Sequence, residues 1–109
     1  MHEPVIDDEV RAAVHDFEQE LRSLYGSKLR GLYLRPHERV EGVRVADVVI
    51  VLDDPERIVA EIHRTTPAII AVEGRHDVFL HTVIISGHGW DSNEPLGGRG
   101  GSRTDLVPA

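Results

Sequence analysis

The sequence predicts an α+β domain: a small mixed sheet of three to four strands with helices packed on one face, in the order helix-strand-strand-helix-strand. Three observations carry this prediction. "DDEVRAAVHDFEQELRSLYGSK" repeats its apolar residues at three- and four-residue steps, the period of an amphipathic helix. "VRVADVVIVLDD" is β-branched and apolar on both alternating faces, as in a strand buried on two sides. "HDVFLHTVIIS" alternates as a further strand, and a helical stretch separates it from the previous one.

In the first helix, Val10, Ala13, Val14, Phe17, Leu21, Leu24 and Tyr25 form one stripe. Asp7 or Asp8 can cap its start and Gly26 its end. "KLRGLYLRP" follows as a short strand closed by Pro36, and "HERVEG" as a polar loop. After the second strand, "DDPERIVAEIHRTTP" reads as a helix with Asp54 as N-cap and Pro55 at the first helical position. Ile58, Val59 and Ile62 would be its buried face. "PAIIAVEG" fits either a helical turn or a strand, because short apolar runs do not decide between them. On the last strand, Val78, Leu80, Thr82 and Ile84 share one face, and Asp77, Phe79, His81, Val83 and Ile85 share the other. Residues 1–90 thus make one domain. Residues 91–109, rich in Gly, Ser and Pro, read as a flexible tail, with "LVPA" able to dock on a partner or another copy.

Composition narrows the function. The chain has 109 residues, enough for one core, and a formal net charge of -7. That charge argues against phosphate-driven binding to DNA or RNA and against docking on an anionic membrane. Magnesium, a basic partner or no ligand suits it better. With 0 cysteines, disulfides and thiolate zinc sites are excluded. "MHEPVIDDEV" is acidic and lacks the apolar core of a signal peptide, so a cytoplasmic protein is expected.

The residue that poses a question is Asp47, a lone carboxylate between apolar faces, sharing its own with Val45, Val49 and Val51. Such a group is costly unless it is hydrogen-bonded, paired, metal-bound or wet. Seven histidines invite a metal reading, with His76, His81 and His88 near the last strand. His76 and His88 flank that strand at opposite ends, too far apart for the three or four converging ligands of zinc. Arg35, Arg39 and Arg44 surround the first loop and suit either an anion or the neighbouring Glu38 and Glu41. "GGRGGSR" resembles an RNA-binding Gly-Arg tract only faintly, with two arginines in an acidic chain.

The element order and several local details resemble the minimal nucleotidyltransferase domain of the DNA polymerase beta superfamily. "LRSLYGSKLRGLYL" is similar to its helix end and first strand, and "ADVVIVLDD" to its Asp-containing second strand. "IVAEIHRTTPAIIAVEGRHDVFLHTVIISGHGW" is similar to the helix and strand that follow. The likeness spans roughly residues 10 to 90. It implies a nucleotidyltransferase-like fold and puts Asp47 at the second Asp of the family's Asp-x-Asp, with Val45 at the first. The family's phosphate-binding Gly-Ser pair falls on Pro36 and His37, and Gly26-Ser27 lies before the strand instead of after it. Asp77 is the candidate for the third carboxylate.

In the family, carboxylates hold two metal ions that activate the attacking oxygen, and glycine amides cradle phosphate. Val45 offers no oxygen, and Pro36 offers no N–H. The resemblance therefore implies a degenerate member without transfer activity. Asp47 and Asp77 are its vestigial metal-site candidates, and Arg35, His37 and Arg39 its nucleotide-binding ones. It implies no cofactor, or magnesium if the site is active. It also implies a protein-binding, antitoxin-like role beside a helical HEPN-type toxin. Two alternatives stand: an active enzyme using Asp47 and Asp77 to transfer a nucleotide to a protein or small molecule, and a homo-oligomeric structural domain pairing through a sheet edge.

Overall fold

In the computed structural model, residues 8–35, 44–96 and 106–109 are described. Helix α1 (Asp8–Tyr25) runs into a 3₁₀ turn (Gly26–Lys28) and strand β1 (Leu29–Arg35). Strand β2 (Val45–Leu52), helix α2 (Ile58–His76), strand β3 (Phe79–Ser86), short helix α3 (Gly87–Asp91) and strand β4 (Val107–Pro108) follow. The sheet is mixed, in the order β3-β2-β1-β4. β2 is antiparallel to β1 and parallel to β3, and the β2-α2-β3 crossover supplies the parallel pair. This is the expected α+β architecture, with a fourth strand.

α1 forms along its predicted stripe except at Leu24, which was expected inside and is 43% exposed in the last turn. Val10, Ala13, Val14, Phe17 and Leu21 are buried, and Gly26 ends the helix at φ +59, a conformation that suits a residue without a Cβ. The stripe packs on Leu32, Leu34, Ala46, Val48, Ile50, Leu52 and Val72 to form the main core. Val49, Val51, Ile85 and Leu96, flanked by Tyr33, Trp90 and Leu106, form a smaller core on the other sheet face. Tyr33 stacks on Trp90 with ring centroids 4.4 Å apart. Both faces of β2 are thus buried, as its sequence requires.

α2 differs from the sequence reading. It starts at Ile58 behind Arg57, so Asp54, at a left-handed φ of 46, is not its cap and Pro55 is not its first residue. It then runs unbroken through Pro67 to His76, so "PAIIAVEG" is helix. Its buried residues are Glu61, Thr65 and Val72. Ile58, Val59 and Ile62, expected inside, are exposed. The apolar residues of α2 lie nearly all round the helix, and its two polar core residues have partners. Glu61 is bonded, and the Thr65 hydroxyl donates to the Ile62 carbonyl at 3.1 Å. Tertiary contacts therefore set the buried face, not hydropathy alone.

Within the stretch read as a tail, Leu96 is buried, and Val107 and Pro108 pair with Leu34 and Tyr33 of β1. The "LVPA" end thus docks on this chain's own sheet. Residues 97–105 lie outside the described residues.

Candidate functional site

Asp47 sits third on β2, before the strand becomes fully buried. Its Cα partners are Arg35 on β1 and His81 on β3. Residues paired across a ladder point to the same face. Arg35, Asp47 and His81 therefore form a cross-strand row on the face opposite α1 and α2. The His81 Nδ1 and Asp47 Oδ1 atoms are 3.1 Å apart, and the Asp47 side chain retains 37% of its accessible surface. The lone carboxylate is thus both paired and wet, which removes the desolvation cost that the sequence raised. The next row on this face, Tyr33, Val49 and Val83, is apolar, so the polar row marks the rim of the smaller core.

Asp77 does not join this row. It caps the C-terminus of α2 at φ 47, a left-handed position that Asp tolerates better than most residues. It precedes His81 by four residues, on the order of 10 Å of chain. The two carboxylates share no cross-strand position. Among the described residues, no group of three His, Asp or Glu side chains converges to hold a metal ion. The donor chemistry at Asp47 also fits magnesium poorly. One carboxylate faces an imidazole, and Val45 stands where a second oxygen would be needed. His37 and Arg39 lie outside the described residues; Arg35 is brought beside Asp47.

Three charged clusters were not foreseen. At the far end of the sheet, Arg30 Nη1 donates to the Asp91 carboxylate at 2.8 Å and the Gly87 carbonyl at 3.1 Å, with Asp53 at 3.9 Å. A Cβ on Gly87 would meet the tips of the Asp53 and Arg30 side chains, which would have to swing aside and loosen this cluster. Between the helices, buried Glu61 accepts from Arg64 at 2.6 Å and from the Tyr25 hydroxyl at 3.3 Å. Burial, and then the Glu61 charge, push the Tyr25 hydroxyl up to about 12. Further along, Arg75 bridges Asp16 at 2.8 Å and Glu20 at 2.9 Å, and His76 lies 2.9 Å from Asp16. The Arg75 guanidinium holds the Asp16 carboxyl below its usual range. These contacts link α1 to α2 or strand ends to α3. Their long sequence separations hide them from pattern reading; only the Glu61–Arg64 spacing of three was visible in the chain.

The other exposed feature is apolar. Ile58, Val59, Ile62 and Ile70 of α2 and Phe79 of β3 are between 43% and 64% exposed. A groove of about 340 Å³ runs beside them along the edge of β3, lined by Ile58, residues 83–86 and Pro95. No family model, curated protein or solved structure matches the chain.

Proposed function

We propose that this chain is a protein-binding domain on a nucleotidyltransferase-like frame, antitoxin-like in role, cytoplasmic, and without transfer activity. The observation that carries the reading is the exposed apolar stripe of α2, Ile58, Val59, Ile62 and Ile70. Several large apolar side chains left exposed on one helix mark an interaction surface more often than a catalytic one. The Asp47 row supports the same reading. A two-metal transfer site needs converging carboxylates, and here Asp47 faces His81 beside Val45. The net charge of -7 disfavours nucleic acid as the partner. Among the described residues, no helix is long and apolar enough to cross a membrane. A helical toxin of the HEPN type is the partner that the resemblance suggests.

Two measurements test this. Melting in ATP, CTP, GTP or UTP with magnesium or manganese should show no shift. A shift of several degrees that vanishes in Asp47→Ala would return the chain to the enzyme class, since a ligand at 100 times its Kd stabilises by about 2.7 kcal/mol. A photo-crosslinking residue at position 70 should capture protein in cells, and one at position 22 on α1 should not. Absence of any adduct at position 70 would remove the binding reading.

A further inference from the structure

The open edge of the sheet is β3, and its backbone can be read position by position. The Phe79 N–H bonds the Arg44 carbonyl on the β2 side. Amide groups alternate along a strand, so Leu80, Thr82, Ile84 and Ser86 direct theirs outward. The Glu73 carboxylate accepts the Leu80 N–H at 3.0 Å. Thr82 and Ile84 pair with no strand among the described residues. β3 holds no Lys and no Pro, and its register against β2 is unbroken, so it lacks the usual barriers to a further strand.

Both sides of this edge are apolar. At about 100° per residue, Ile58, Ile62 and Glu73 fall within about 60° of one another on α2. Glu73 reaches the Leu80 N–H, so that flank overlooks the edge, where Ile58 and Ile62 stand 43% and 49% exposed. Glu61 and Arg75, which bond to α1, lie on the other flank. On the far side of β3, Val83, Ile85 and Leu96 line the groove.

The charged groups around this apolar edge carry one sign. Glu56 and Glu94 stand at the Ser86 end of the groove, and the described residues that line it include no Lys, Arg or His. Glu73 stands at the Leu80 end. The only ionisable side chain of β3, His81, is turned to Asp47 on the neighbouring strand. Arg64 reaches Glu56 at 3.5 Å, with both side chains exposed, while its other nitrogen holds Glu61 at 2.6 Å. An exposed pair of that length is easily exchanged for another cation. The net charge of -7 adds a field that draws basic groups toward the chain.

We propose that β3 takes up an extended segment of a partner protein, with an apolar centre and Lys or Arg at both ends. This rests on the protein-binding reading and names what the partner presents. The backbone of the segment pairs with the outward N–H and C=O groups of Thr82 and Ile84, as an added strand does. Alternate side chains of its centre lie against Ile58 and Ile62 on one side and Val83 on the other. Its basic ends meet Glu73 at one end of the edge, and Glu56 with Glu94 at the other. A second copy of this chain fits less well, because its own β3 brings no Lys or Arg to these carboxylates.

Fluorescence anisotropy on the full chain tests this with a labelled peptide of alternating valine and threonine, ended by two lysines on each side. It should bind, and its glutamate-ended counterpart should bind at least about tenfold more weakly, as expected of a few exposed charge pairs. Glu56→Gln combined with Glu94→Gln should weaken the lysine peptide and narrow that difference. Thr82→Pro removes an outward N–H and leaves the β2 ladder intact, so it should weaken binding with an unchanged circular dichroism spectrum. Ile62→Lys, at an exposed position, should do the same. N-methylation of the central peptide amides removes the pairing from the ligand's side and should abolish binding without altering the protein. A lysine peptide that does not bind overturns the proposal. So does binding indifferent to Ile62→Lys and to N-methylation, which would be charge attraction alone. A chain of twice 12.1 kDa in light scattering that sheds the peptide on dimerising overturns it in favour of a second copy. If the lysine peptide fails while position 70 still captures a protein, the inference alone has failed; if position 70 captures nothing, the binding reading has failed with it.

Discussion

At Asp47, position does the work that a metal would do elsewhere. The carboxylate stays at the rim of the smaller core, half in water, with an imidazole 3.1 Å away. Exposed pairs of this kind contribute less than about 1 kcal/mol. Valine favours strands and would extend the neighbouring apolar row. Asp47→Val should therefore change the unfolding free energy in urea by less than about 1 kcal/mol, in either direction. A loss of several kcal/mol would show that the pair is structural. Tyr25 behaves in the opposite manner. Its hydroxyl, half-buried against Glu61, is pushed up to about 12 from an ordinary 10.0. A raised folded value means that the protonated form is favoured by folding. Its contribution is complete below pH 10 and is lost as pH rises toward 12. Ultraviolet titration, with Tyr25→Phe identifying the band, should place the Tyr25 midpoint near 12. Glu61→Gln should bring that midpoint down.

Among the elements, α2 carries the largest gap between pattern and structure. Its sequence holds apolar residues on several sides, so periodicity alone does not choose the buried one. Glu61, bonded to Tyr25 and Arg64, anchors a different face from the one that hydropathy suggests. Pro67 lies inside the same helix and has no N–H for the His63 carbonyl. One turn earlier, the Thr65 and Thr66 hydroxyls donate to the Ile62 carbonyl at 3.1 and 2.7 Å. An interior proline costs a helix about 3 kcal/mol, of which about 1 kcal/mol is returned by a stiffer unfolded chain. Pro67→Ala should therefore raise stability by about 1–2 kcal/mol, visible as a higher Tm. A lower Tm would show that the proline ring, in the groove beside Leu24, outweighs the missing bond.

Across the whole molecule, legibility follows sequence separation. α1 and β2 were readable because their burial is written within a few residues, as a stripe and as a doubly apolar run. Asp47 was readable as an anomaly, yet its partner was not, because His81 meets it only through the parallel register of β2 and β3. The Arg30–Asp91 pair and strand β4 were invisible for the same reason. A two-residue strand has no period, and Val107 pairs with Leu34 from far along the chain. That last pairing has a consequence in time. Closing so long a loop is entropically costly, and only a few bonds, among them Ala109 N–H to the Leu32 carbonyl at 3.0 Å, hold it shut. Segments held so lightly open at far less than the global free energy. The Ala109 amide should exchange its hydrogen for deuterium well before that of Ile50 at the sheet centre. Each such excursion bares the other flank of the sheet for a moment, so the lifetime of β4, rather than the shape of β1, sets how often that flank can be captured.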